Sequence, residues 1–330
     1  MTFAEKRYRD VALRIAFAML IFYGLSLVEG VVLVIASLFT LSMSALAAEV
    51  VTELIGALLY AAVFVLPIFF FKMMAGQTPV APMRLSLSLP RDTWLYVFFG
   101  VAANSALAYF NAQIVSVFDY ADFSSEVLWQ SDVTSNYQLV LMFITLAVVP
   151  AFVEELLFRG LVLENLLPFG RSTAILGSAF LFGLMHQNAE QFLYATLSGA
   201  VLGWIYVSTR SIWPCVLMHL FNNFQAVLQT AVQERLPRAT ADGILYLMEG
   251  GILLAGIAAA FLLFRKEKGK EAVAAKGAFE TELAPSAEFA RYPIPLSRRV
   301  RLFFNVPMII FVALCAVNMV ILILTALLLY

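Results

Sequence analysis

Long apolar stretches alternate along the chain with short polar breaks, and their lengths decide what they are. An α-helix rises about 1.5 Å per residue, so about 20 apolar residues cross a hydrocarbon core of roughly 30 Å. Stretches of that order occur at residues 11–43, 51–71, 93–117, 136–168, 172–188, 192–209, 211–232, 244–264 and 302–329. None shows the period-two alternation over about ten residues that a transmembrane barrel needs, so each predicts a helix. The breaks carry turn chemistry: Gly76-Gln77-Thr78-Pro79, Pro82 and Pro90, then Pro168-Phe169-Gly170, then Pro237. The pattern predicts an all-α, polytopic transmembrane bundle: an eight-helix core over residues 1–264, a polar linker over 265–301 and an additional C-terminal helix over 302–330. No internal repeat or soluble domain interrupts it.

Composition sharpens this. Hydrophobic residues make up 62% of the chain and charged ones 13%, against about 25% charged in soluble domains. A water-soluble fold is excluded. The net charge of −1 gives no reason to expect a nucleic-acid partner; the lipid bilayer is the expected one. Cys215 and Cys315 lie inside apolar stretches without metal-ligand spacing and read as packing residues. Lys6, Arg7 and Arg9 precede the first stretch, and Ala45-Leu46-Ala47 resembles a signal-peptidase site. The apolar run from Val11 to Met43 is far longer than the roughly 7–15 residues of a signal-peptide core, which predicts a retained helix.

Charge distribution gives an orientation, because cytoplasmic loops concentrate Lys and Arg. With the N-terminus inside, the outer loops hold Glu49, then Asp119, Asp122, Glu126 and Asp132, then Glu190, and no Lys or Arg. The inner loops hold Lys72, Arg84 and Arg91, then Arg171, then Arg210, then a basic stretch through Lys266, Lys268, Lys270, Arg298 and Arg299. Arg235 and Arg238 break the pattern. The expected location is a bacterial plasma membrane, crossed many times, with the N-terminus cytoplasmic and the C-terminus outside.

A charge at bilayer centre costs at least about 2.5 to 3.5 kcal/mol, so ionisable residues inside apolar stretches need a partner or a task. Glu155 and Arg159 are four positions apart with the acid first, the favourable order for a helical pair. Glu154 is turned by about 100° from Glu155 and is left without a helical partner. A lone carboxylate in low dielectric suits a general base. The chain has 2 histidines, His186 and His219, each in an apolar stretch. Phe182 shares a helical face with His186, and Asn223 shares one with His219. At about 1.5 Å per residue, Glu154 and His186 lie at equal depth, and His219 with Asn223 lies within about two turns of them. Glu29 either lines the polar chamber or marks a break in an over-long apolar run, the break being the favoured reading, and Glu164 and Glu249 read as residues near interfaces.

Peptide hydrolysis without a covalent nucleophile needs an activated water and donors for the oxyanion. Glu154 with His186 can supply the first, and His219 with Asn223 the second. No Gly-x-Ser-x-Gly elbow is present, and Cys215 has no third partner for nucleophilic catalysis.

Three patterns, Glu154-Glu155-x-x-x-Arg159, Phe182-x-x-x-His186 and His219-x-x-x-Asn223, resemble the motifs of the CAAX protease and bacteriocin-processing family. That family comprises glutamic intramembrane endopeptidases, including the type II CAAX prenyl endopeptidases. The resemblance covers residues 150–225 and implies catalytic roles for Glu154, His186, His219 and Asn223. It implies supporting roles for Glu155, Arg159 and Phe182, a membrane-associated protein or peptide as substrate, and no cofactor or metal. Two other readings use the same residues. One is a two-histidine, one-carboxylate metalloprotease of Glu154, His186 and His219, although no His-Glu-x-x-His motif is present. The other is a non-enzymatic membrane scaffold or immunity protein.

Overall fold

The computed structural model describes residues 1–75, 80–85, 89–119, 135–274 and 294–329, and every regular element among them is helical. In chain order these are α1 (Phe3–Thr40), α2 (Ala45–Met73), α3 (Thr93–Asp119) and α4 (Asn136–Phe169), then α5 (Arg171–Met185), α6 (Ala189–Thr209), α7 (Trp213–Arg235), α8 (Arg238–Ala274), α9 (Leu296–Phe303) and α10 (Val306–Leu329). The expected turn at Gly76–Pro79, the acidic residues Asp122, Glu126 and Asp132, and linker residues 275–293 lie outside the described residues.

Of these helices, 7 are long and apolar enough to cross a membrane: α1, α2, α3, α4, α6, α8 and α10. The chain is a multi-pass integral membrane protein. Large apolar side chains on the outer surface, such as Phe39, Leu58 and Leu247, are where lipid takes the place of a protein core. Two expected spans differ. The helix predicted to reach residue 188 stops at Met185, because Gln187 adopts a left-handed backbone (φ 52) that ends α5. Asn188 then accepts from the Glu190 N–H and starts α6. The other is α7, which is long but carries Asn222, Asn223, Gln225 and Gln229 in its middle.

Two further expectations differ from the structure. No break occurs at Glu29, since α1 runs unbroken through it. The expected polar linker ends in a helix, α9, and the C-terminal helix α10 starts only at Val306, after Asn305, whose side chain accepts from the Met308 N–H. Glu164, near the end of α4, is buried, accepting from Arg84 Nε at 3.0 Å and from the Tyr206 hydroxyl at 2.8 Å.

Helix α4 is the centre of the bundle. It touches α2, α5, α6 and α7, and residues 157–166 are buried on all sides, with the polar members Arg159, Glu164 and Asn165 each bonded within the bundle. Around it, α1 packs on α2, α3 on α8 and α5 on α6, while α10 lies against α1 through Met308, Phe311 and Cys315. The expected packing role of the two cysteines fits their burial. Arg299 of α9 donates to the carbonyl of Phe169 at the end of α4.

Small residues bring α5 and α6 close, as at interfaces between membrane helices. A Cβ at Gly183 would lie 2.0 Å from Thr196 Oγ1 and 2.8 Å from the Phe192 carbonyl oxygen. The side chain could rotate away; the backbone oxygen could not. Gly183→Ala should therefore destabilise the fold by about 1–3 kcal/mol, measured by thermal unfolding in detergent. Gly243→Ala, with nothing within 4 Å of the new atom, should leave the transition in place.

Candidate active site

The site is built on two departures of α4 from regular geometry. Pro150 lacks the N–H that a helix directs at the carbonyl four residues back, which is Leu146. The turns before it, Phe143–Val148, widen into a π-helix. Asn223 of α7 reaches across and donates its Nδ2 to that Leu146 carbonyl at 3.0 Å. A second π-helical segment, Leu156–Leu163, follows the two glutamates. Its carbonyls also find side-chain donors: Ser178 Oγ bonds Phe158 O at 2.9 Å and Asn165 Nδ2 bonds Leu161 O at 2.9 Å.

Between these segments the regular turns of Val149–Glu155 present both glutamates. Glu155 is fully buried, and its Oε1 accepts from Arg159 Nη1 at 2.9 Å and meets His219 Nδ1 at 2.9 Å. Arg159 is equally buried, donates to the Gly199 carbonyl of α6 at 3.0 Å and lies 4.5 Å from the centre of the Phe182 ring. One Glu–Arg–His cluster thus joins α4, α5, α6 and α7.

Glu154 points elsewhere, as the helical rotation requires. It is 3% exposed, and its Oε1 accepts from the Tyr60 hydroxyl of α2 at 2.6 Å. Its Oε2 is buried with no partner and lies 3.9 Å from His219 Nε2. Glu154 thus has no partner on its own helix, as its rotation from Glu155 implies, and its hydrogen-bond donor comes from another helix. His219 stands between the two glutamates, one ring nitrogen toward each.

His186 caps the C-terminal end of α5 and lies outside the helix proper, unlike the expectation. Its Nδ1 is 2.8 Å from the Phe182 carbonyl, which leaves Nε2 as the ring's free nitrogen. The Phe182 ring lies edge-on to both histidines, with centroids 5.2 Å from His186 and 6.0 Å from His219. The turn after His186 is tied to distant helices: Gln187 Nε2 donates to Ser26 of α1 at 3.3 Å, and Asn318 of α10 to the Gln187 carbonyl at 3.5 Å.

The structure thus brings Glu154, Glu155, Arg159, Phe182 and His219 into one contact cluster, with His186 against Phe182. Asn223 lies one turn beyond His219 and is bound to Leu146. No group of three His, Cys, Asp or Glu side chains among the described residues is arranged to hold a metal ion. Tyr60 was missed by sequence reasoning, because a tyrosine in an apolar stretch reads as packing; only the fold shows that its hydroxyl meets a carboxylate.

Comparison with known proteins agrees with the motifs. The family model described as Type II CAAX prenyl endopeptidase Rce1-like matches residues 136–225, from the start of α4 into α7. The matched segment contains all three of the motifs read from the sequence. No curated protein and no solved structure matches the chain.

The Glu155–Arg159–His219 cluster is buried, so removing one member leaves an uncompensated buried charge. Arg159→Met should destabilise the protein by about 3–5 kcal/mol. Arg159→Met combined with Glu155→Gln should cost less than the sum of the single changes, by about 0.5–3 kcal/mol. Unfolding of the four proteins in detergent gives the cycle directly.

Proposed function

We propose that this protein is an intramembrane endopeptidase that hydrolyses a peptide bond of a membrane-associated protein or peptide, near its C-terminus, with Glu154 as general base. The observation that supports this most is the state of the Glu154 carboxylate. One oxygen is held by the Tyr60 hydroxyl at 2.6 Å, and the other is buried, partnerless and 3.9 Å from His219 Nε2. A base held on one side and free on the other is suited to a water molecule. The family match, whose description is that of an endopeptidase, supports the reaction class.

In this reading, water bound between Glu154 and the free nitrogen of His186 gives its proton to Glu154 as its oxygen attacks the carbonyl carbon of the substrate. The carbonyl oxygen gains the negative charge and is met by the Nε2–H of His219 in its imidazolium form, the Nδ1–H being held by Glu155, and by the second N–H of Asn223. Collapse of the tetrahedral intermediate breaks the C–N bond, and the proton held by Glu154 passes to the leaving amine. Glu155 and Arg159 act through His219: the bond from Glu155 to Nδ1 fixes which face of the imidazole is turned toward Glu154. The Leu146 carbonyl does the same for Asn223, and Tyr60 for Glu154.

Purified protein with a membrane-anchored peptide tests this. Glu154→Gln should lower cleavage by at least about 10²-fold, the scale of a lost general base. Tyr60→Phe removes one charge-assisted hydrogen bond of about 1.5–3 kcal/mol, so kcat should fall by about 10- to 100-fold with KM nearly unchanged. Glu154→Gln cleaving at the parental rate would overturn the assignment. So would activity lost in chelator and restored by zinc, which would make the site a metalloprotease.

A further inference from the structure

A chain of polar side chains leads away from Asn223 through segments that are otherwise apolar. Asn222 Nδ2 donates to Asn223 Oδ1 at 3.3 Å, and the Tyr194 hydroxyl of α6 donates to Asn222 at 3.2 Å. One turn along α6, Ser198 accepts from Asn104 Nδ2 of α3 at 2.9 Å. The next residue of α3, Ser105, accepts from Gln225 Nε2 of α7 at 3.1 Å. Gln225 and Gln229 then donate to one oxygen of Glu249 of α8, at 2.5 Å and 2.8 Å. Glu249 is the acidic end of a seam between α3, α6, α7 and α8.

Polar contacts between membrane helices often serve only as adhesion, about 0.6–2 kcal/mol each. Two features here go beyond that. Asn104 is 1% exposed, and its Oδ1 has no partner, although the amide nitrogen beside it is bonded into the seam. A buried acceptor left open in this way is matched by a water. The second is Glu249, whose bonds within the seam come from two neutral carboxamides and no cation. A carboxylate at membrane depth needs a counter-charge or hydration.

We infer that the seam is a hydrated passage, running from the part of the bundle where α7 meets α8 to Asn222 and Asn223, and that it supplies the site with water. Every bond hydrolysed consumes one water. Glu154 and His219 are 3% and 7% exposed, so water reaches them through protein or through lipid. Positions 222, 225 and 229, spaced three and four residues apart, fall on one face of α7, which sets the polar groups one helix turn from each other. Supply of the hydrolytic water rests on the endopeptidase reading; hydration of the seam does not.

The test separates the two. In a Cys215→Ser, Cys315→Ser background reconstituted into lipid, single cysteines replace Ser105, Gln225 and Gln229. Leu254, which is 70% exposed on the lipid-facing side of α8, is replaced as the reference. Thiols react through the thiolate, which forms in water and not in hydrocarbon. A charged, membrane-impermeant methanethiosulfonate should therefore label the seam positions at least about tenfold faster than Leu254→Cys. Equal rates at the seam and the reference overturn the passage, whatever the protein catalyses. Proper folding is checked by elution in detergent, and any one of the three positions that folds decides the comparison. In the uncut background, Gln225→Leu with Gln229→Leu should then lower kcat at unchanged KM. Fast labelling combined with a parental kcat in that variant overturns the supply role while leaving the hydrated seam.

Discussion

The structure turns on the burial of one carboxylate oxygen. Glu155 Oε1 is shared by Arg159 and His219, with Glu155 and Arg159 both completely excluded from solvent. In a low-dielectric interior neither charge is tolerable alone, so the pair binds its surroundings into a single arrangement. Arg159 reaches the Gly199 carbonyl, which fixes α6, and lies over Phe182, which fixes α5. His219 fixes α7. Gly199 can approach so closely because it has no side chain: a Cβ there would lie 3.1 Å from the Ala179 Cα. Small residues at the helix interface and a charged cluster at its centre are thus two parts of one packing solution.

The same cluster explains why the two adjacent glutamates have different surroundings. A helix turns about 100° per residue, so neighbouring carboxylates cannot share one environment. Glu155 Oε1 is shared by Arg159 and His219, while Glu154 Oε1 is held by the Tyr60 hydroxyl; the second oxygen of each carboxylate is buried without a partner. The widening of α4 on both sides of the pair leaves backbone carbonyls for side chains: Asn223 and Ser178 take two of them from other helices, and Asn165 takes one from within α4. Pro150 is the clearest cause, since it removes a backbone donor where α7 supplies another. For the second π-helical segment the sequence offers no comparable breaker; Gly160 lies within it, against Met83.

Much of this was legible in the chain. Apolar length located the helices, and four-residue spacing paired Glu155 with Arg159 and set Glu154 apart. What the sequence withheld were features made by contacts between distant segments. A tyrosine's hydroxyl carries no sign of its partner, so Tyr60 was invisible. Helix ends were misplaced where a single backbone conformation decides them: Gln187 has no intrinsic preference for the left-handed region comparable to that of Gly or Asn, so the stop at Met185 left no mark. The partners of Glu164, Arg84 and Tyr206, lie 80 and 42 positions away and could not be placed beside it from spacing. Asn223 was correctly set next to His219, yet its bond to Leu146 depends on a proline in another helix.

The matched segment, residues 136–225, holds the three motifs but not the whole surroundings of the site. Tyr60 on α2, Ser26 on α1 and Asn318 on α10 lie outside it, and each touches either Glu154 or the turn that follows His186. The C-terminal helix, expected as an appendage, packs against α1 and reaches the Gln187 carbonyl, while Arg299 just before it caps the end of α4. A base, a histidine turn and an amide donor positioned from four separate helices cannot be moved independently. The motifs name the groups that could carry out the chemistry; their relative positions are a property of the entire bundle, including the helices that no motif marks.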